Sequence, residues 1–132
     1  MNEELRKLVH FRLDRAFESL DDAKLLADAR RWNPCINRLY YACFYAVSAL
    51  LAANELSSSK HSGVLSLFNL HFVKSGKIPK DIAETYSDLF DNRQEGDYSD
   101  FIRFTEQQVK PQIDKTSIFL KAVADMIGNC SQ

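Results

Sequence analysis

The sequence predicts an all-α fold, an antiparallel up-and-down bundle of four main helices plus one short helix. Three observations lead there. Apolar residues recur at steps of three and four along most of the chain, and only four Gly and three Pro occur in 132 residues, with long stretches free of both. The links between the periodic stretches are short, so consecutive helices must lie side by side and antiparallel.

The first helix spans residues 3–29. Leu5, Val9, Leu13, Ala16, Leu20, Ala23 and Ala27 form one stripe, while Lys7, Asp14, Glu18, Asp21 and Asp28 fall largely away from it. Asn33 followed by Pro34 reads as an N-cap with proline at the first helical position, where its missing N–H costs nothing. A second helix then covers residues 34–54. Ile36, Leu39, Cys43, Ala46, Val47 and Leu50 line one side of it, with Tyr40, Phe44 and Leu51 beside them, which makes it the central helix. A polar linker over residues 55–62 leads to a short helix over residues 63–74, closed by Ser75-Gly76. Ile78-Pro79-Lys80-Asp81 opens a fourth helix that reaches about residue 94, with Gly96 marking its end. Thr105-Glu-Gln-Gln108 has capping-box form, and Ile113, Thr116, Phe119, Val123, Met126 and Ile127 carry the last stripe. Pro111 implies a kink or a late helix start.

With 45% hydrophobic and 27% charged residues, the composition is that of one globular domain over residues 1–132. A chain of this size buries roughly two-thirds of its unfolded surface, enough for a core without staples. Net charge is 17 − 18 = −1, which argues against a broad basic nucleic-acid face and leaves room for a focused pocket. Cys35, Cys43 and Cys130 form no C-x2-C pair and have no histidine at zinc-ligand spacing, so neither metal nor cofactor is expected. On one helix, residues 35 and 43 stand about 12 Å apart, beyond disulfide reach. The N-terminal residues enter a charged amphipathic pattern with no apolar signal centre. The uncharged apolar stretch over residues 39–53 falls short of the ~20 residues of a membrane span. A reducing cytoplasmic setting without membrane contact is the expectation.

Polar residues that interrupt the apolar stripes are the candidates for function. Arg93 falls in register with Ile82, Tyr86, Leu89 and Phe90, so it needs a partner or an anion. It either pairs with Asp97 or Asp91 near a helix C-terminus or serves a site. Arg38, Tyr41 and Tyr45 share a face of the second helix with the small residues Ala42, Ala49 and Ala52. That face forms a polar pocket or dimer contact, or its tyrosines are core aromatics with wet tips and Arg38 snorkels. His71 lies on the stripe of Val64, Leu67 and Phe68 and reads as a core histidine; His61, just before a helix N-terminus, suits an anion or a loop. His10 shows no chemistry, and carboxylate pairs such as Asp21-Asp22 read as solvated charge. Phosphate loops, dinucleotide turns, zinc-protease motifs and nucleophile elbows are absent from the sequence.

Three segments together resemble the HEPN domain family (higher eukaryotes and prokaryotes nucleotide-binding). They are residues 37–51 (NRLYYACFYAVSALL), residues 60–64 (KHSGV) with 72–76 (FVKSG), and residues 93–98 (RQEGDY), within a match in order and spacing over residues 13–123. The resemblance implies an antiparallel helical bundle that homodimerises, often encoded beside a minimal nucleotidyltransferase in a toxin–antitoxin pair. It singles out Arg38, Tyr41, His61, Arg93, Asp97 and Tyr98.

Ribonuclease members of that family carry Arg followed four to six residues later by His. Here no histidine follows Arg93; Asp97 and Tyr98 stand near that place and Ser99 is six residues on. Carboxylates and phenols titrate far from neutral, so neither simply replaces an imidazole. The expectation is a homodimeric module that binds a nucleotide, an RNA end or a partner nucleotidyltransferase through Arg38, Tyr41, Tyr45, His61, Arg93, Asp97 and Tyr98. The alternatives are a metal-independent endoribonuclease using Arg93 with Asp97 and Tyr98, and a purely structural dimer.

Overall fold

Asn2 starts the first helix by accepting the Leu5 amide on its side-chain oxygen at 2.8 Å, and Glu3 and Glu4 place negative charge in the first turn. In this computed structural model, which describes residues 1–98 and 101–130, α1 covers Glu3–Asp28 and α2 Trp32–Ala53. The short α3, His61–Phe68, runs directly into a π-helical turn, Asn69–Val73; α4 is Lys80–Tyr98 and α5 Glu106–Cys130. The side chains of residues 95–98 and 130 lie outside the described residues, and with them Asp97 and Tyr98. No strand occurs among the described residues.

The helices form the expected bundle. Helix α2 touches each of the other four, and Ile36, Leu39, Tyr40, Cys43, Ala46, Val47 and Leu50 are buried along it. It is long and apolar enough to match a membrane span, and 67% of that stretch is buried inside the bundle. An aromatic ladder fills the interior: the Tyr40 ring lies 6.1 Å from Tyr86, Tyr86 6.0 Å from Phe119, and Phe119 5.7 Å from Phe68. Cys35 and Cys43 are buried free thiols, and burial pushes Cys35 up to about 11 and Cys43 higher. The Cys35 thiol donates to the Ala23 carbonyl at 3.3 Å and so ties α2 to α1.

Helix ends differ in places from the sequence reading. Helix α2 begins at Trp32, and Asn33 does not cap it. Its amide donates to the Ile102 carbonyl at 3.0 Å and its oxygen accepts the Phe104 N–H at 2.9 Å, which clamps the chain just before α5. Pro34 still sits in the first turn, because the first intrahelical bond is donated by Cys35 to the Arg31 carbonyl. Both α1 and α2 end with crossed hydrogen bonds, Arg31 to Leu26 with Arg30 to Ala27, and Leu56 to Leu51 with Glu55 to Ala52. The left-handed positions in these caps, Arg30 and Glu55, lack the glycine usual there.

The short helix begins two residues earlier than expected and changes type midway. In the π turn Lys74 donates to the Asn69 carbonyl, five residues back. The wider turn keeps Val64, Phe68 and Phe72 on the core side at steps of four and rotates His71 into solvent, so His71 is not a core histidine. Gly76 at φ +79° then reverses the chain. Helix α4 continues through Gly96 to Tyr98, since one glycine costs only about 1 kcal/mol in a helix. Helix α5 starts at Glu106 and not late. Thr105 N–H donates to Gln108 Oε1 at 2.9 Å while Gln108 N–H donates to Thr105 Oγ1 at 3.3 Å, a reciprocal capping box. Pro111 is carried within α5 on an exposed stretch. Ala42 and Ala49 are fully buried within one chain, so the close approach they permit is between helices of the bundle and not between protomers.

Candidate functional site

The site forms where α2, α3 and α4 meet, around two consecutive tyrosines. Tyr40 faces inward with no exposed surface, and Tyr41, one residue on, is half-buried at the rim. Arg93 reaches both from α4. Its guanidinium carbon stands 4.9 Å from the Tyr40 ring centre and 5.3 Å from that of Tyr41, and Nη2 donates to the Tyr41 hydroxyl at 3.2 Å. An arginine on an apolar stripe is thus held by aromatic faces, each worth about 0.5–2 kcal/mol as a cation–π contact. Arg38 approaches Tyr41 as well, at 4.8 Å from the ring centre, with one amino group donating to Asn37 Oδ1 at 3.1 Å. Two guanidiniums from different helices therefore converge on one phenol.

His61 enters from α3, of which it is the first residue. Its Nδ1 is 2.9 Å from the Tyr40 hydroxyl, and its ring lies 4.3 Å from Phe44 and 5.9 Å, edge to face, from Tyr41. Gly63 permits this seating. A side chain there would collide with Ser58 Oγ and stand 2.9 Å from Ser58 Cβ, so the linker presses directly on the first turn of α3. Burial, and then the charge of Arg93, hold His61 below its ordinary value of 6.5, which leaves a neutral imidazole at pH 7. Where Nδ1–H donates to the Tyr40 hydroxyl, Nε2 keeps a lone pair for a proton. Burial also pushes Tyr40 upward against the pull of Arg93, so its hydroxyl stays protonated.

Of the residues read from the sequence, Arg38, Tyr41, His61 and Arg93 gather in this centre. Tyr45 lies at its edge, 5.7 Å from Tyr41, where Arg15 of α1 stacks on it at 4.5 Å and donates to its hydroxyl at 3.0 Å. Asp97 and Tyr98 lie outside the described side chains. Tyr40, Phe44, Asn37 and Arg15 were missed. Tyr40 and Phe44 stand four apart beside the apolar face, a spacing indistinguishable from core packing. His61 was legible from its place at a helix N-terminus, and Gly63 in the first turn of that helix adds a mark of close backbone approach. Among the described residues no group of His, Cys, Asp and Glu is arranged to hold a metal ion.

The model of the HEPN domain matches residues 9–126. The chain belongs to the HEPN domain family. A "UPF0332 protein" of Thermotoga maritima is 48% identical over 127 residues, which cover 96% of each chain. Two proteins of Methanocaldococcus jannaschii bear the names "Putative toxin MJ0142" and "Putative toxin MJ0605". The first is 32% identical over 89% of this HEPN chain and 77% of its own length, the second 28% identical over 93% and 91%. The matched span takes in α2, α3 and α4, the three helices that build the site.

Proposed function

We propose that this HEPN domain is the toxin-type half of a toxin–antitoxin pair, a cytoplasmic homodimer that holds a phosphate of a nucleotide or RNA at Arg38 and Arg93, with a minimal nucleotidyltransferase as partner. The observation that carries this is the convergence of the two guanidiniums on Tyr41. Guanidinium forks match phosphate oxygens, and the exposed part of the Tyr41 ring offers a base something to stack on. The toxin names of two relatives support the setting.

One observation favours a second reading, a metal-independent endoribonuclease. No histidine follows Arg93 along the chain, but the fold brings His61 beside it through Tyr40. A neutral imidazole accepts the 2′-hydroxyl proton of RNA, and Arg93 meets the charge gathering on the phosphorus oxygens. Asp97 and Tyr98, within two turns of Arg93 along α4, remain candidates for the second proton transfer.

Calorimetry with nucleotides and short RNA tests the first reading. Arg93→Ala weakens binding at least about 10-fold, or ~1.4 kcal/mol, while circular dichroism stays helical. Unfolding of that variant, with no binding by the wild type, leaves only a structural role. Sedimentation reads a dimer, and a monomer at high micromolar concentration counts against the paired module. RNA stays intact in chelator on the first reading; cleavage that vanishes in both Arg93→Ala and His61→Asn selects the second.

A further inference from the structure

A cavity of about 390 Å³ opens between α1, α2 and the linker before α3. That volume lies within the ~300–1,000 Å³ range of small-molecule sites. Its floor is apolar, with Leu51 and Val64 belonging to the core. Leu8 and Phe11 stand at its mouth, 40% and 59% exposed. Its charged lining consists of Arg12 and Arg15, with no carboxylate among the lining residues.

Both arginines are held in place. They are three residues apart on α1 and so point the same way. Arg12, half-buried, donates Nη1 to the Ser48 carbonyl at 3.2 Å. The Arg15 guanidinium carbon stands 4.5 Å from the Tyr45 ring centre and 5.8 Å from that of Phe11, on the same side of α1. Each guanidinium has five N–H donors, and the hydrogen bonds described here use one on each. The ordering cost of two long side chains is thus met before any ligand arrives. An apolar slot with a stacked guanidinium at its lip suits a planar aromatic body, and paired forks suit a phosphate.

We infer that this cavity binds a nucleoside phosphate, the base lying against Phe11 and the apolar floor and the phosphate meeting Arg12 and Arg15. The site is separate from the Arg93 centre and does not depend on that centre's role. Tyr45 joins the two, being stacked by Arg15 on one hand and 5.7 Å from Tyr41 on the other. The nucleotide is therefore either free or one unit of a single strand that continues toward Arg93.

Fluorescence anisotropy on the full chain separates these sources, with a labelled hexauridylate as one probe and a labelled adenosine monophosphate as the other. The variants are Arg12→Gln/Arg15→Gln, Phe11→Ala and Arg93→Ala; Phe11 is exposed enough to change without disturbing the core. If the nucleotide is free, the mononucleotide loses at least about 10-fold in affinity in the first two variants and nothing in Arg93→Ala. If it belongs to a strand, the hexanucleotide loses as much in the first two variants whether or not the mononucleotide binds. A hexanucleotide insensitive to Arg93→Ala but sensitive to the others refutes the Arg93 reading and leaves this one standing. Binding of both probes unchanged by the double variant and by Phe11→Ala, or no binding at all, overturns the proposal. Loss of a dimer in Phe11→Ala without any nucleotide effect assigns the face to a second copy and overturns it too.

Discussion

Gly63→Ala tests how firmly the linker sits on α3. At an open helical position the change favours folding by about 0.8–1 kcal/mol through helix propensity. Here the new methyl group collides with Ser58 Oγ and stands 2.9 Å from Ser58 Cβ, where carbon atoms normally keep about 3.5–4.0 Å. Ser58 must swing away and give up its contacts with the Lys60 amide and carbonyl, at 3.3 and 3.4 Å. Overpacking costs about 1–3 kcal/mol and the lost hydrogen bonding about 1 kcal/mol. After the propensity gain the net loss is about 1–3 kcal/mol, which for a domain of this size lowers Tm by roughly 3–6 °C per kcal/mol. Urea denaturation reads it as a lower midpoint at unchanged slope. Ser58→Gly relieves the collision, so in that background Gly63→Ala becomes neutral or stabilising. A midpoint that rises in the single variant refutes the seating. His61 lies two residues upstream, so the same collision shifts it from Tyr40 and moves its titration toward that of an ordinary histidine.

Two further outcomes follow from the same geometry. Asn33→Ala removes the clamp on the Ile102 carbonyl and the Phe104 amide and lowers stability by about 1–3 kcal/mol in urea melts, with Asn33→Asp intermediate because it keeps the acceptor alone. The His61 ring titrates below 6.5 by NMR, and its midpoint rises in Arg93→Gln; because the unfolded chain binds the proton more readily, His61 contributes stability above pH 6.5 that is lost as pH falls through that value to its folded midpoint, and a flat profile over that window refutes the assignment.

Much of the fold was legible because helix period, caps and short links are local properties. The stripe of α1, the burial of α2 and the capping box at Thr105 and Gln108 needed no knowledge of neighbours. What escaped was set by partners distant in sequence. Asn33 has the chemistry of an N-cap, but its side chain is taken by backbone groups 69 and 71 residues away. His71 sits on the stripe only if the helix keeps its α period, and the π turn breaks that period. In the site, Arg93 announced itself by breaking an apolar stripe, whereas its proximity to His61 arises from the packing of α3 on α2 and leaves no trace in spacing along the chain.

Tyr40 belongs to two structures at once. Its ring is fully buried and packs into the ladder through Tyr86 to Phe119 and Phe68, while its hydroxyl meets His61 and its face meets Arg93. In most enzymes and binding proteins the reactive groups ride on loops that drift while the scaffold stays put. Here a change of volume at Phe119 or Phe68 tilts the ring that carries the site. A substitution that repacks the ladder therefore also acts on the geometry around His61 and Arg93, and the core and the site share one set of packing constraints.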